Sequence, residues 1–268
     1  MSYETVLYDV CDHVATLTLN RPEVMNAFNQ KMCEEVQDVW RRARLDDDVR
    51  VVVVQADGHR AFSVGVDRKN PEKDSSSGTG YGQPDNPFAR IGPDHYLGPK
   101  TNQLWKPVIS AVHGMVAGGA AYFTNESDIV ICSEDATFFD PHLNYGMVSV
   151  LENVGMSRRI PVGEALRLVL LGLDERMSAT RAHQIGLVSE VVPDEELHAR
   201  ARELALKIAK KPPIAVQGTI KAMWAELDLT SNRVAHAGPN YSAIGNPIGH
   251  ADPNALKFGD PRPKWELR

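Results

Sequence analysis

Apolar and polar positions change period several times along the chain, and each change marks an element. Val-Ala-Thr-Leu-Thr-Leu at 14–19 is β-branched and roughly alternating, and it stops at Asn20-Arg21-Pro22, where proline removes a ladder donor. This predicts a strand followed by a loop. Between 30 and 44 the apolar residues Met32, Val36, Val39, Trp40 and Ala43 recur at helical spacing, with Arg41, Arg42 and Arg44 near the end, where the helix dipole favours cations. Four valines at 51–54 lie between charged flanks, the profile of a strand buried on both faces. Two further buried strands are predicted at 108–112 and 129–132, separated by a glycine-rich turn and a small-residue helix. Strand, helix and buried strand in succession predict an α/β core with parallel pairing.

Residues 70–99 are rich in Ser, Gly, Pro, Asp and Asn and have no period, which predicts either an active-site flap or a disordered loop. From Gly163 onward helical spacing dominates, at 164–171, 178–184, 195–210 and 214–227. Composition at 229–268 returns to Gly, Pro and Asn and predicts an extended tail. The expected organisation is a core over 1–195 and a C-terminal helical region with tail over 196–268.

Composition narrows the function classes. Of 268 residues 43% are hydrophobic and 24% charged, which excludes disordered and fibrous classes, and a net charge of −6 argues against a nucleic-acid binder. Cys11, Cys33 and Cys132 are too scattered for a disulfide framework or a metal cluster, which fits a reducing cytoplasm. His59, His113 and His183 lack metal-site spacing, so no metal is expected. The N-terminal segment lacks a signal-peptide pattern, and no apolar run reaches membrane-spanning length, so no membrane partner is expected.

Two glycine-containing turns carry the chemistry. Ala61-Phe62-Ser63-Val64-Gly65-Val66-Asp67 follows the valine strand, and His113-Gly114-Met115-Val116-Ala117-Gly118-Gly119 follows the strand at 108–112. Glycine permits close ligand approach and leaves amides free at such turns, so the pair is a candidate oxyanion hole. These turns, with Asn20-Arg21-Pro22, Asn26-Ala27, Asp128-Ile129 and Gly186-Leu187-Val188, stand in the order and approximate spacing of the crotonase (enoyl-CoA hydratase/isomerase) superfamily, which the chain resembles over nearly its whole length. The resemblance implies an α/β spiral of β-β-α turns followed by a helical region used for trimer formation, with a homotrimer or hexamer as the assembly. It implies an acyl-CoA substrate, coenzyme A entering as part of the thioester and no covalently bound cofactor. The amides of Val66 and Gly119 match the family's two donors to the thioester oxygen. Val24, Met25, Val64, Asp67 and Arg68 match its coenzyme-binding loop and turn, where Arg68 replaces an aliphatic residue and either reaches a phosphate or points to solvent.

The resemblance breaks where the family's hydratases carry two glutamates, for Tyr122 and His142 occupy those positions. Hydration needs an acid and a base, so ordinary hydratase activity is in doubt. In Asp140-Pro141-His142 proline disfavours a helical Asp140, and residues two apart in an extended segment point the same way, so Asp140 is expected beside the imidazole. This makes His142 the candidate acid/base group, with Asp140 orienting it and Tyr122 donating nearby; a buried histidine satisfied by a carbonyl and a core tyrosine are the plainer alternative. His95 has the spacing of the water-activating histidine in the family's 4-chlorobenzoyl-CoA dehalogenase, but Val150 replaces that enzyme's nucleophilic aspartate; the nearest acid is Glu152, two positions on, which a small shift in this irregular region would bring into the site. The expected function is an acyl-CoA-transforming enzyme working through a thioester enolate. Acyl-CoA hydrolysis, decarboxylation, C–C cleavage or non-catalytic acyl-CoA binding are alternatives on the same scaffold.

Overall fold

The computed structural model describes residues 3–68, 92–228, 231–257 and 260. Most of the expected 70–99 loop therefore lies outside the described residues. The chain begins with a hairpin of β1 (Val6–Cys11) and β2 (Val14–Leu19), joined by Asp12 and His13. Both linking residues have positive φ, 53° and 65°, the backbone of a two-residue turn whose twist matches that of the strands. This is an antiparallel pair at the edge of a sheet that is otherwise parallel, continuing from β2 through β3 (Val51–Ala56), β5 (Val108–Val112) and β7 (Ile129–Ser133) to β10 (Glu190–Val192).

The predicted buried strands are β3, β5 and β7, with β10 at the far edge. After each of the first three the chain steps to a second sheet, through β4 (Ala61–Ser63), β6 (Met115–Ala117) and β8 (Thr137–Phe139), with β9 (Met177–Ser178) beside β8. Three successive strand pairs each give one strand to each sheet, and this alternation is the spiral. The sequence marks the second set weakly because three-residue strands are too short to show a period.

The helix predicted at 30–44 is α1 (Gln30–Leu45), started by Asn29, whose side chain accepts from the Met32 amide at 2.9 Å. Its C-terminal end is closed by buried Lys106, whose Nζ donates to the carbonyls of Ala43 and Asp46 at 2.7 and 2.6 Å. Burial lowers the Lys106 pKa, against the pull of Asp46 and Asp47. Trp40 is fully buried and donates to the Leu97 carbonyl at 3.1 Å, tying α1 to α2 (Asp94–Leu97). The remaining helices of the first unit are α3 (Ala121–Asn125), α4 (Leu151–Ser157), α5 (Val162–Leu171), α6 (Ala179–Gln184) and α7 (Leu197–Ala209).

The chain divides into two compact units, residues 1–208 and 209–268. The second holds α8 (Pro213–Asp228) and α9 (Ser231–Ala251). The expectation of an extended tail is corrected here, because most of that segment is helix. Its glycines form a seam: a Cβ at Gly245 would meet Ile214 Cγ2 at 3.7 Å, and one at Gly249 would meet Ala215 Cβ at 3.3 Å. Small residues that read as breakers in a sequence here let α8 and α9 pack closely. Among the described residues no helix is long and apolar enough to cross a membrane.

One buried residue ties the loop after β2 to the turn region. Asn26, with φ 52° and no exposed surface, accepts from the Arg21 amide at 2.9 Å and donates to the carbonyls of Asp57 and Ala61 at 2.9 and 3.0 Å. Asn26→Ala removes all three bonds at a left-handed position that alanine disfavours. We expect a loss of about 3 kcal/mol of unfolding free energy, measured by urea denaturation.

Candidate active site

Because β4 and β6 pair in parallel, the turns that follow them leave the small sheet side by side. Their contact is close: Gly65 has φ +84°, and a Cβ there would lie 3.0 Å from the Gly119 amide nitrogen and 3.3 Å from the Ala117 carbonyl. A Cβ at Gly119 would in turn lie 2.5 Å from Phe28 Cζ and 3.1 Å from Tyr122 Cε2. Both positions therefore require glycine.

The amides at this junction are oriented by their neighbours. Phe28 N donates to Gly65 O at 2.8 Å and Asp67 N donates to Phe28 O at 2.9 Å, forming a parallel bridge between Phe28 and Val66. In such a bridge the middle residue directs its own N–H away from the partner strand. Gly119 is the second residue of a 3₁₀ turn, Gly118–Ala120, and the first amides of a helical turn have no acceptor within it. Neither the Val66 nor the Gly119 amide donates among the turn and loop backbone hydrogen bonds of the described residues.

Side chains fix the first turn from behind. Ser63 Oγ donates to the Asn26 carbonyl at 2.8 Å and accepts from Gly65 N at 3.2 Å. Arg21 donates to Asp67 at 2.9 Å and to the Ala27 carbonyl at 2.5 Å, and Asp67 is buried. The Asp67 carboxylate is thus engaged with the loop that carries Val24 and Met25, which are themselves half-buried.

Beside the second turn sits the imidazole of His142, for a Cβ at Gly118 would meet its Cε1 at 3.6 Å. His142 Nδ1 lies 2.6 Å from Asp140 Oδ1, which also accepts from the His142 amide at 2.9 Å. The two residues meet by a route other than the extended one expected. Pro141 is helical, with φ −85° and ψ −2°, and the Asp140 carboxylate curls onto the amide two residues on in an Asx turn. Its other oxygen accepts from Ser149 Oγ at 2.7 Å and Asn153 Nδ2 at 2.5 Å.

The opposite nitrogen, His142 Nε2, faces the carboxylate of Glu152, the acid two positions beyond Val150. Glu152 Oε1 lies 3.7 Å from Nε2 and accepts a short hydrogen bond from Tyr122 OH. Glu152 and Asp140 are 6% and 2% exposed, so two acidic groups are sequestered with one imidazole and one phenol. Glu152 and Asn153 share the first turn of α4, which delivers one to the phenol and the other to Asp140. A glutamate and an asparagine opening an otherwise apolar helix were the sequence signal for this wall.

Electrostatics follow from these contacts. The hydrogen bond to Asp140 raises the His142 pKa above 6.5 against the opposing effect of burial, with the charges of Asp140 and Glu152 adding to the rise and Arg68 reducing it. For Asp140 burial acts upward, but its hydrogen bonds from His142 and Ser149 together prevail and the pKa falls below 3.8. Burial first, and then Glu152, push the Tyr122 phenol far up, so it remains a proton donor at neutral pH. His142 stabilises the fold fully below 6.5 and loses that contribution as pH rises through its raised folded value. Asp140 contributes above 3.8 and loses its share as pH falls through its lowered one, so the pair is strongest between 3.8 and 6.5.

The other expected residues lie apart or serve differently. The His95 side chain on α2 is 51% exposed and pairs with Asp94 at 3.1 Å. Val64 is half-buried in the first turn. Arg68 is exposed, in keeping with the solvent-facing alternative, and its guanidinium also stacks over the Tyr145 ring at 4.2 Å. Among the described residues no group of three or more His, Cys, Asp or Glu side chains is arranged to hold a metal ion.

Strand pairs alternating between two parallel sheets, with glycine turns at their ends, define an enzyme fold of the crotonase type. The chain belongs to the enoyl-CoA hydratase/isomerase family of acyl-CoA-transforming enzymes, whose sequence model matches residues 10–242. It is 33% identical to (E)-benzylidenesuccinyl-CoA hydratase of Thauera aromatica over 222 residues, 81% of each chain. It is 31% identical to 1,2-epoxyphenylacetyl-CoA isomerase of Escherichia coli K12 over 221 residues, 81% of this chain and 80% of that one. Among solved structures, an enoyl-CoA hydratase/isomerase from Mycobacterium paratuberculosis superposes with a TM-score of 0.84 at 37% identity, covering 91% of both chains.

The pKa of His142 is directly measurable. Titration of the ¹⁵N-labelled imidazole by NMR is expected to give a midpoint above 6.5, and Asp140→Asn, which removes the largest cause of the rise, is expected to bring it down.

Proposed function

We propose that this enzyme forms a thioester enolate from an acyl-CoA, with the Val66 and Gly119 amides receiving the carbonyl oxygen and His142 moving the proton. The observation that carries this reading is the contact of the Gly65 and Gly119 turns, with the imidazole of His142 against Gly118. With Nδ1 turned to Asp140, Nε2 is the nitrogen available to a substrate. It takes a proton from a carbon conjugated to the thioester, and the C–H electron pair passes to the carbonyl oxygen, where each main-chain donor contributes about 3 kcal/mol toward the negative charge. The proton then returns from His142. Return to a different carbon is isomerisation; addition of water across a conjugated double bond is hydration. Tyr122 holds Glu152 in place and supplies a donor that stays protonated.

Val24, Met25 and Val64 flank the first turn and are the proposed coenzyme-binding residues, while Asp67 acts through Arg21 to hold their loop. His95 is retained only as a group at the edge of the site, because it is exposed and paired with Asp94. The proposed assembly is a homotrimer or hexamer. It is supported by α5, which buries Ala165, Leu168 and Val169 and exposes a stripe of Val162, Leu166 and Leu170. In sedimentation experiments the double variant Leu166→Glu, Leu170→Glu is expected to run at a lower mass than the parent; an unchanged mass removes this stripe from the interface.

Enolate formation is testable without knowing the net reaction. Butyryl-CoA in D₂O is expected to exchange its α-protons in the presence of the protein, at a rate that rises with pH through a midpoint above 6.5 as His142 becomes neutral. His142→Gln is expected to slow the exchange by about a hundredfold or more. Butyryl-CoA that binds without exchange would instead support the non-catalytic binding alternative.

A further inference from the structure

Arg68 is a cation placed at the site that the proposed reaction does not use. Its guanidinium stacks over the Tyr145 ring at 4.2 Å, which fixes where the charge lies. Tyr145 closes the 3₁₀ turn that His142 opens, and residues three apart in such a turn eclipse on one face, separated by about 6 Å along the axis. The guanidinium is therefore carried on the same face as the imidazole. The effect of Arg68 on the His142 pKa is consistent with that placement.

From the other direction, Arg68 follows Val66 by two residues, a backbone span of at most about 7 Å. The cation thus stands near both the nitrogen proposed to receive the thioester oxygen and the imidazole proposed to work on the acyl carbons. Among the described residues Arg68 enters no ion pair, although Asp140 and Glu152 lie in the same region, and both of those carboxylates are already engaged. An exposed guanidinium held flat against a ring presents its edge N–H groups, the geometry that takes a carboxylate with two parallel hydrogen bonds.

We infer that Arg68, seated on Tyr145, recognises a second carboxylate on the acyl group, so that the substrate class is a mono-thioester of a dicarboxylic acid. This inference rests on the acyl-CoA reading of the same site and adds what the acyl group carries.

The test compares two five-carbon thioesters that differ in one terminal group, glutaryl-CoA and pentanoyl-CoA, by calorimetric titration of the protein. Glutaryl-CoA is expected to bind about tenfold more tightly than pentanoyl-CoA. In Arg68→Gln the ratio of the two dissociation constants is expected to fall to about one, and in Arg68→Lys, which keeps the charge without the fork, to recover in part. Arg68 is exposed, and thermal melting confirms that each variant is folded. A wild-type ratio near one, or a ratio untouched by Arg68→Gln, overturns the inference. It is also overturned if Arg68→Gln weakens both CoA thioesters equally while leaving the matching pantetheine thioesters unaffected, since Arg68 would then read a coenzyme phosphate. Failure of the wild-type protein to bind either CoA thioester would refute the acyl-CoA reading itself, a result distinct from these.

Discussion

The site is organised by the contact between two glycines. Gly65 and Gly119 end strands of the same small sheet, and there is no room at either for a methyl group. Only with both side chains absent do the two turns close to this distance, and the other distances at the site are set from them. Phe28 packs against Gly119 and bridges to Val66, so the residue that fills the space behind one turn also holds the backbone of the other. Asn26, Arg21, Ser63 and Asp67 lock that arrangement from the side of the loop after β2. These buried polar residues explain why a loop without regular structure holds one conformation.

The same economy governs the wall around His142. Asp140 is satisfied on both oxygens, Glu152 is engaged by the phenol, and the imidazole stands between them. Burying two carboxylates is costly unless each has partners, and here the partners also fix which nitrogen of the histidine is exposed to a ligand. Tyr122 owes its fixed protonation to the same burial.

Much of this was legible in the sequence, for identifiable reasons. The valine strand at β3 and the strands β5 and β7 are continuous apolar runs, and α1 has an unbroken helical period with Asn29 before it. The glycine turns were legible because few residues other than glycine satisfy such geometry. Glu152 was legible only as the acid nearest Val150, because this carboxylate arrives from α4, whose approach depends on packing. The proximity of Asp140 to His142 was legible, but the backbone conformation behind it was not, since Pro141 leaves its own ψ free. In α9 the glycines that suggest a tail are instead the small side of a helix pair, a distinction that only the partner helix reveals. Arg68 was visible as a departure from the family, but its ring partner lies 77 positions along the chain.

The proposed use of main-chain nitrogens at positions 66 and 119 bears on how such a protein diversifies. A donor that belongs to the peptide group survives nearly any replacement of the side chain attached to it, as the valine at 66 illustrates. Inheritance can therefore conserve the binding of one atom while the surrounding wall is rewritten residue by residue. A lineage built this way drifts among reactions that share an intermediate, and its members are told apart by the lining of the cavity and not by the anchor.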